Sequence, residues 1–215
     1  MSATRFDLYT LVHKGHRRVL FELTGAAGQI GPEDAGKRQA LAASTATFIK
    51  ILTEHARYED KFVGPLLAEA APAVGEQLTA EHVKFEHELQ LVQSALTNAA
   101  EQPSIPLDLA VYRALARFTA AYFVHIDLEE STMPALWARF DDATLAKAQG
   151  QIVAAHSPDV VQANLRNMLP ATSSFERVRF LRGLKASMPP PAFAMVRGVA
   201  GPLVDAGEWQ AIDAA

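Results

Sequence analysis

The sequence predicts an all-α protein: an up-down-up-down four-helix bundle with extra helices at its C-terminal end. Three observations carry that prediction. Apolar residues recur at threes and fours along four long segments. Alternating β-branched runs between tight turns are nearly absent. The breaks between segments fall on glycine and proline.

Helix A is expected from about Arg5 to Thr24, stopping in a glycine-rich turn. Helix B is expected from near Glu33 to about Ala70, with Gly64-Pro65 kinking or interrupting it. Its inward stripe reads Phe48, Leu52, His55, Glu59, Phe62 and Leu66. Helix C runs from Pro72 to about Ala99, with Leu78, His82, Phe85, Leu89, Val92 and Leu96 on one face. Pro103 and Pro106 mark the next turn, and helix D extends to about Phe140 with Pro134 near its end. Its stripe is Leu107, Val111, Leu115, Phe118, Tyr122, His125, Glu129 and Met133. Residues 1–140 thus form the bundle, and residues 141–215 a helical extension packed on it or on a partner. In the extension, Ser157-Pro158-Asp159 fits an N-cap with proline in the first turn, and Ser173-Ser174-Phe175-Glu176 fits a capping box.

Composition narrows the functions. The 215 residues are 49% hydrophobic and 20% charged, as in ordinary globular proteins. A net charge of -4 with no basic stripe argues against nucleic acid as a partner. No cysteine is present, which excludes disulfides, thiolate zinc sites, iron–sulfur clusters and thiol nucleophiles. No apolar run approaches the length of a membrane span, and the N-terminal residues lack the apolar core of a signal peptide. The expected setting is the cytoplasm, away from membranes.

The chemistry lies in the stripes. Burying imidazole and carboxylate inside a bundle is costly unless something satisfies them. Here each of the four helices carries a histidine, and His55 and His125 are each followed four residues later by glutamate, Glu59 and Glu129. Four residues is about 40° of helix rotation, so both side chains look the same way one turn apart. That suits an imidazole on one metal ion and a carboxylate reaching to a second.

Height in the bundle agrees. Residues level with each other on antiparallel neighbours lie symmetrically about the connecting turn. His55 and His82 centre on residues 68–69, beside the Ala70–Pro72 turn. His82 and His125 centre on 103–104, at Pro103. His13 and His55 centre on 34, a few places beyond the Gly28–Pro32 turn. On helix A, Tyr9, His13, His16 and Leu20 all fit the inward stripe; His13 is preferred because His16 moves the midpoint farther from the turn. His87 is about 140° around from His82 and is expected in solvent. Glu130 is similarly rotated from His125, although a kink near Pro134 could bring it in. Tyr9, Tyr58 and Tyr122 are candidates to lie near the metal level. His16, His87 and His156 are read as ordinary core or surface histidines.

Two other patterns are set aside. Gly25-Ala-Ala-Gly28-Gln-Ile-Gly31 resembles a dinucleotide-binding turn, but it follows a helical stripe and runs into Pro32-Glu33-Asp34, with no βαβ context. The Glu-x-x-His of ferritin-type centres is absent, since Leu52, Thr79 and Tyr122 stand three residues before His55, His82 and His125.

His13, then His55-x3-Glu59, then His82, then His125-x3-Glu129-Glu130 followed by Met133-Pro134, resembles the hemerythrin or HHE cation-binding family over roughly residues 5 to 140. The resemblance implies an oxo-bridged pair of non-haem irons in the bundle. His13 and His55 would serve one iron, His82 and His125 mainly the other, with Glu59 and Glu129 bridging. It also implies a small diatomic ligand, oxygen or nitric oxide, or a role in sensing iron or redox state. Two departures stand out: Glu86 sits where the family usually has a second histidine on its third helix, and Glu130 where an aspartate is common. Both suggest a carboxylate-rich centre, which favours ferric iron and weighs against reversible oxygen carriage. The alternatives are zinc as the metal, an enzyme acting on peroxide or nitric oxide, and a metal-free helical interaction module.

Overall fold

The computed structural model describes residues 5–214; residues 1–4, which open the N-terminal segment read above, and 215 lie outside the described residues. Among the described residues the regular elements are all helices, with no strand. The predicted helix A is α1 (Thr10–Ala27), which starts later than the expected Arg5. The cause is Asp7, whose carboxylate accepts the N–H groups of Tyr9 and Thr10 at 2.9 and 3.0 Å and so sets the helix start. The predicted helix B is two helices, α2 (Ala35–Phe62) and α3 (Gly64–Ala70), because Pro65 cannot continue the ladder but fits a first turn. α4 (Pro72–Glu101) starts the same way at Pro72. The predicted helix D divides into α5 (Ile105–Ser131) and α6 (Met133–Arg139), the second opened by Pro134. α7 (Asp142–Ala155) follows, capped by the Asp141 carboxylate on Thr144 N–H.

Contacts divide the described residues into two compact units: those up to Thr10 with 19–156, and residues 11–18 with those from Ser157 onward. In the first, the outer turns of α1 meet α5 through a Thr24–Thr119 hydroxyl pair at 3.0 Å and the edge-on rings of Phe21 and Phe123. α5 packs on α4, where Phe85 meets Phe118 and Tyr122 edge-on. α4 packs on α2 and α3, and α7 lies on α2. This neighbour order fits an up-down-up-down bundle. The predicted stripes are its core: Phe48, Leu52, Leu78, Phe85, Leu89, Val92, Leu96, Val111, Leu115 and Phe118 are all buried.

The second unit gathers α8 (Pro158–Met168), α9 (Ser174–Ser187), α10 (Pro190–Ala200) and α11 (Ala206–Asp213) around Leu169, Leu181, Ala200 and Ile212. The expected capping box at Ser173 and Glu176 is formed, and Asp205 with Glu208 makes another. Ser157 stands before α8 as expected, but its side chain makes no capping hydrogen bond. Arg177 ties the unit together, donating to Glu208 at 2.8 Å and to the carbonyls of Leu169 and Thr172. The glycine-rich segment set aside above is the end of α1 and its turn, in a helical setting. No described helix is long and apolar enough to cross a membrane.

A buried ion pair closes one end of the bundle. The Arg38 guanidinium donates to both oxygens of Asp108 at 2.9 Å, and to the Gly31 carbonyl at 3.0 Å, with both side chains nearly inaccessible. Removing one partner strands the other charge, which typically costs about 3–5 kcal/mol. The Arg139–Glu69 pair is more than half exposed, and such pairs contribute about 0–1 kcal/mol. Asp108→Ala should therefore lower the urea midpoint severely while Glu69→Ala barely moves it; similar small shifts in both would refute the assignment.

Candidate metal centre

The first turns of α5 and α2 close one end of the bundle; the imidazoles and carboxylates gather toward the other. They form two groups that share one residue. His13, His55, Glu59 and Glu129 make the first, and His82, His125 and Glu129 the second. Within each group, one ligand atom from every residue lies within 4.8 Å of the others. The six residues singled out from the sequence are therefore the six brought together. His55 Nε2 lies 3.2 Å from Glu59 Oε1, as the i to i+4 spacing requires. His125 Nε2 stands in the same relation to Glu129 Oε1, also at 3.2 Å. Glu129 Oε1 is also 3.5 Å from His82 Nε2. An aromatic wall backs the second group, with Phe85 edge-on to the His125 ring at 4.9 Å and Tyr122 at 5.9 Å.

Two carboxylates that the sequence reading passed over orient the histidines. Asp60 lies 3.0 Å from His82 Nδ1, and Glu81 lies 2.8 Å from His125 Nδ1. For Asp60, burial works against ionisation, but hydrogen bonds from His82 and Thr79 hold its carboxyl below the ordinary range. Glu81 is also partly desolvated, yet bonds from Gln77 and His125 keep its carboxyl low. An ionised carboxylate only accepts, so Nδ1 of both rings must carry the proton. The only sign in the sequence is adjacency: Asp60 follows Glu59, and Glu81 precedes His82.

This sets a test of whether the residues fit a metal. With both Nδ1 atoms committed as donors, neutral imidazoles present lone pairs at Nε2. Those two Nε2 atoms face each other at 3.0 Å. Two lone pairs at that distance repel unless a proton or a cation lies between or beside them. Beside them Glu59 Oε2 is buried without a hydrogen bond among the described residues, 3.9 Å from His82 Nε2. Burial, then the charge of Glu129, pushes the Glu59 carboxyl well above the ordinary range. Burial lowers His82, but its bonds to Asp60 and Glu129 outweigh that and raise it from 6.5 to about 9. Both shifts point the same way: the site wants positive charge. The residues fit a metal with nitrogen and oxygen ligands, and carboxylate-backed imidazole is how such ligands are usually held.

The remaining candidates separate cleanly. Glu86 and His87 are exposed and outside both groups. The carboxylate enrichment expected from Glu86 is thereby corrected: its side chain is exposed, and Phe85 takes the inward place. Glu130 is half-buried and belongs to neither group. His16 is buried, 6.0 Å ring to ring from His13, and also in neither group. Tyr9 lines a pocket with Glu59, His82 and Glu129, and burial followed by the charges of Glu129 and Glu59 keeps its phenol protonated. Tyr58 instead meets His156 edge-on, and His156 Nδ1 lies 3.0 Å from Glu54.

A bundle of helices enclosing paired nitrogen–oxygen ligand groups defines a metal-binding all-α protein. The family model described as the hemerythrin HHE cation binding domain matches residues 4–136, and the chain belongs to that family. No curated protein and no solved structure matches the chain.

The two raised groups set a pH dependence for the metal-free protein. A group whose folded pKa is raised stabilises fully below its unfolded value and loses that contribution as pH rises through the folded value. For His82 that window runs from 6.5 to about 9, and for Glu59 it begins above 4.5. The melting temperature of metal-free protein should fall between pH 6.5 and 9, and His82→Gln should flatten part of the fall. A level profile in the unmodified protein would contradict this account.

Proposed function

We propose that the bundle holds two non-haem iron ions and through them binds or senses a small diatomic molecule, oxygen or nitric oxide, or the iron and redox state of the cell. The observation that carries the reading is the shared carboxylate: two ligand groups meet at Glu129. A single tetrahedral zinc needs four ligands, whereas six residues in two joined groups suit a pair of ions. His13, His55, Glu59 and Glu129 would hold one ion, and His82 and His125 with Glu129 the other. Bound iron supplies an electrophilic, redox-active position for a diatomic ligand.

The chain's own residues define what that position can accept. The pocket lined by Tyr9, Glu59, His82 and Glu129 has room for about one water-sized molecule. Tyr9 brings a protonated phenol to the pocket as a hydrogen-bond donor. Asp60 and Glu81 hold the Nδ1 protons of His82 and His125 and aim Nε2 inward. A cytoplasmic setting is part of the same proposal.

Aerobic purification followed by metal analysis and a near-ultraviolet and visible spectrum tests the proposal. About two irons per chain with bands of a bridged diferric centre are expected; no iron, or a single tightly held zinc, would reject it. Glu59→Ala should lose most of its iron while His87→Ala, altered at an exposed position, keeps it. Equal iron in both variants would remove Glu59 from the ligand set.

A further inference from the structure

The pocket has a depth order. Asp60 and Thr79 are exposed at its mouth, with the Thr79 hydroxyl donating to Asp60 at 3.0 Å. The side chain of Asp60 is 37% accessible, those of His82 and Glu59 are 8% and 7%, and that of Glu129 is 2%. All four line the same pocket. Gly64, where α2 gives way to α3, and Gly75 on α4 both line it without side chains. A Cβ at Gly64 would meet only the Glu59 carbonyl, at 3.8 Å.

We propose that this pocket is the port through which a divalent cation enters the bundle, with Asp60 and Thr79 at the mouth replacing the water ligands it sheds. The volume argues for it. With space for about one water-sized molecule, the pocket cannot pass an ion with its full hydration shell. Dehydration must begin at the surface, where it costs least if oxygen donors stand ready. Asp60 supplies a carboxylate and Thr79 a hydroxyl at that point. Glu59 Oε2, lacking a hydrogen bond among the described residues, is the next oxygen inward. Asp60 thereby has two tasks: it receives the ion, and it holds His82 Nδ1 so that Nε2 faces the arriving charge.

The inference rests on the proposed metal centre, so the experiment separates the route from the site. Full-length protein stripped of metal is mixed with ferrous ion without oxygen. Uptake is followed as iron that withstands a brief quench with a ferrous chelator, and final content is measured after long incubation. Thr79→Phe removes the hydroxyl at the mouth and adds bulk at an exposed position, and Gly64→Leu adds atoms where space is open, so both alter the port while leaving every residue of the two buried groups in place. Both should reach the unmodified protein's iron content but load about tenfold or more slowly, and Asp60→Asn should slow uptake most at low salt, where steering of a cation is strongest. Far-ultraviolet circular dichroism identifies which port variants keep the fold, and either one suffices for the comparison. Loading at the unmodified rate in a folded port variant would overturn the port. Failure of the unmodified protein to take up iron at all would instead remove the centre itself, a separate result.

Discussion

The structure turns on two carboxylates buried side by side. Glu59 and Glu129 enter the bundle on different helices and come within ligand distance of each other. Two anions in a low-dielectric interior repel and are poorly solvated, so they persist only with protons or cations beside them. The surrounding design answers that constraint. Histidines from the neighbouring helices face the carboxylates, and the apolar stripes keep out the water that would otherwise screen the charge. The upward displacement of both Glu59 and His82 is the same demand for positive charge expressed through two different groups.

The bundle contains a second buried charge cluster, and the contrast is informative. Arg38 and Asp108 satisfy each other with two matched hydrogen bonds, and Gly31 takes another from the guanidinium. That pair is complete and has no capacity for a ligand. At the centre the pairing is incomplete: Nδ1 of His82 and His125 is occupied by Asp60 and Glu81, while the two Nε2 atoms are turned toward each other. Buried polar groups closed on themselves act as structure, and groups aimed at an unmet acceptor-rich space act as a binding site.

Much of this was legible in the chain before folding. Helical periodicity located the four long segments, and proline located the breaks at Pro65 and Pro134. The i to i+4 repeats at His55–Glu59 and His125–Glu129 are one-helix facts, so spacing alone sufficed for them. The symmetry of His55, His82 and His125 about their turns carried the comparison between helices. Asp60 and Glu81 escaped notice because they act across helices: each lies in sequence beside a member of the two buried groups but serves a histidine on another helix. Glu86 misled for the converse reason. Its spacing from His82 is right, but the rotation of α4 that buries Phe85 and Leu89 leaves it in solvent.

What the sequence by itself determined is the class of fold and which imidazoles and carboxylates share the bundle's interior, because both follow from periodicity within single helices and from the distances between turns. Tertiary structure alone decided which oxygen meets which nitrogen. It made Glu129 the shared residue, turned Asp60 and Glu81 into partners of Nδ1, and opened a pocket where α2 gives way to α3. Those outcomes depend on the rotation and depth of one helix against another. That is set by the packing of Phe85, Phe118 and Tyr122 and their neighbours, and no single helix's pattern contains it.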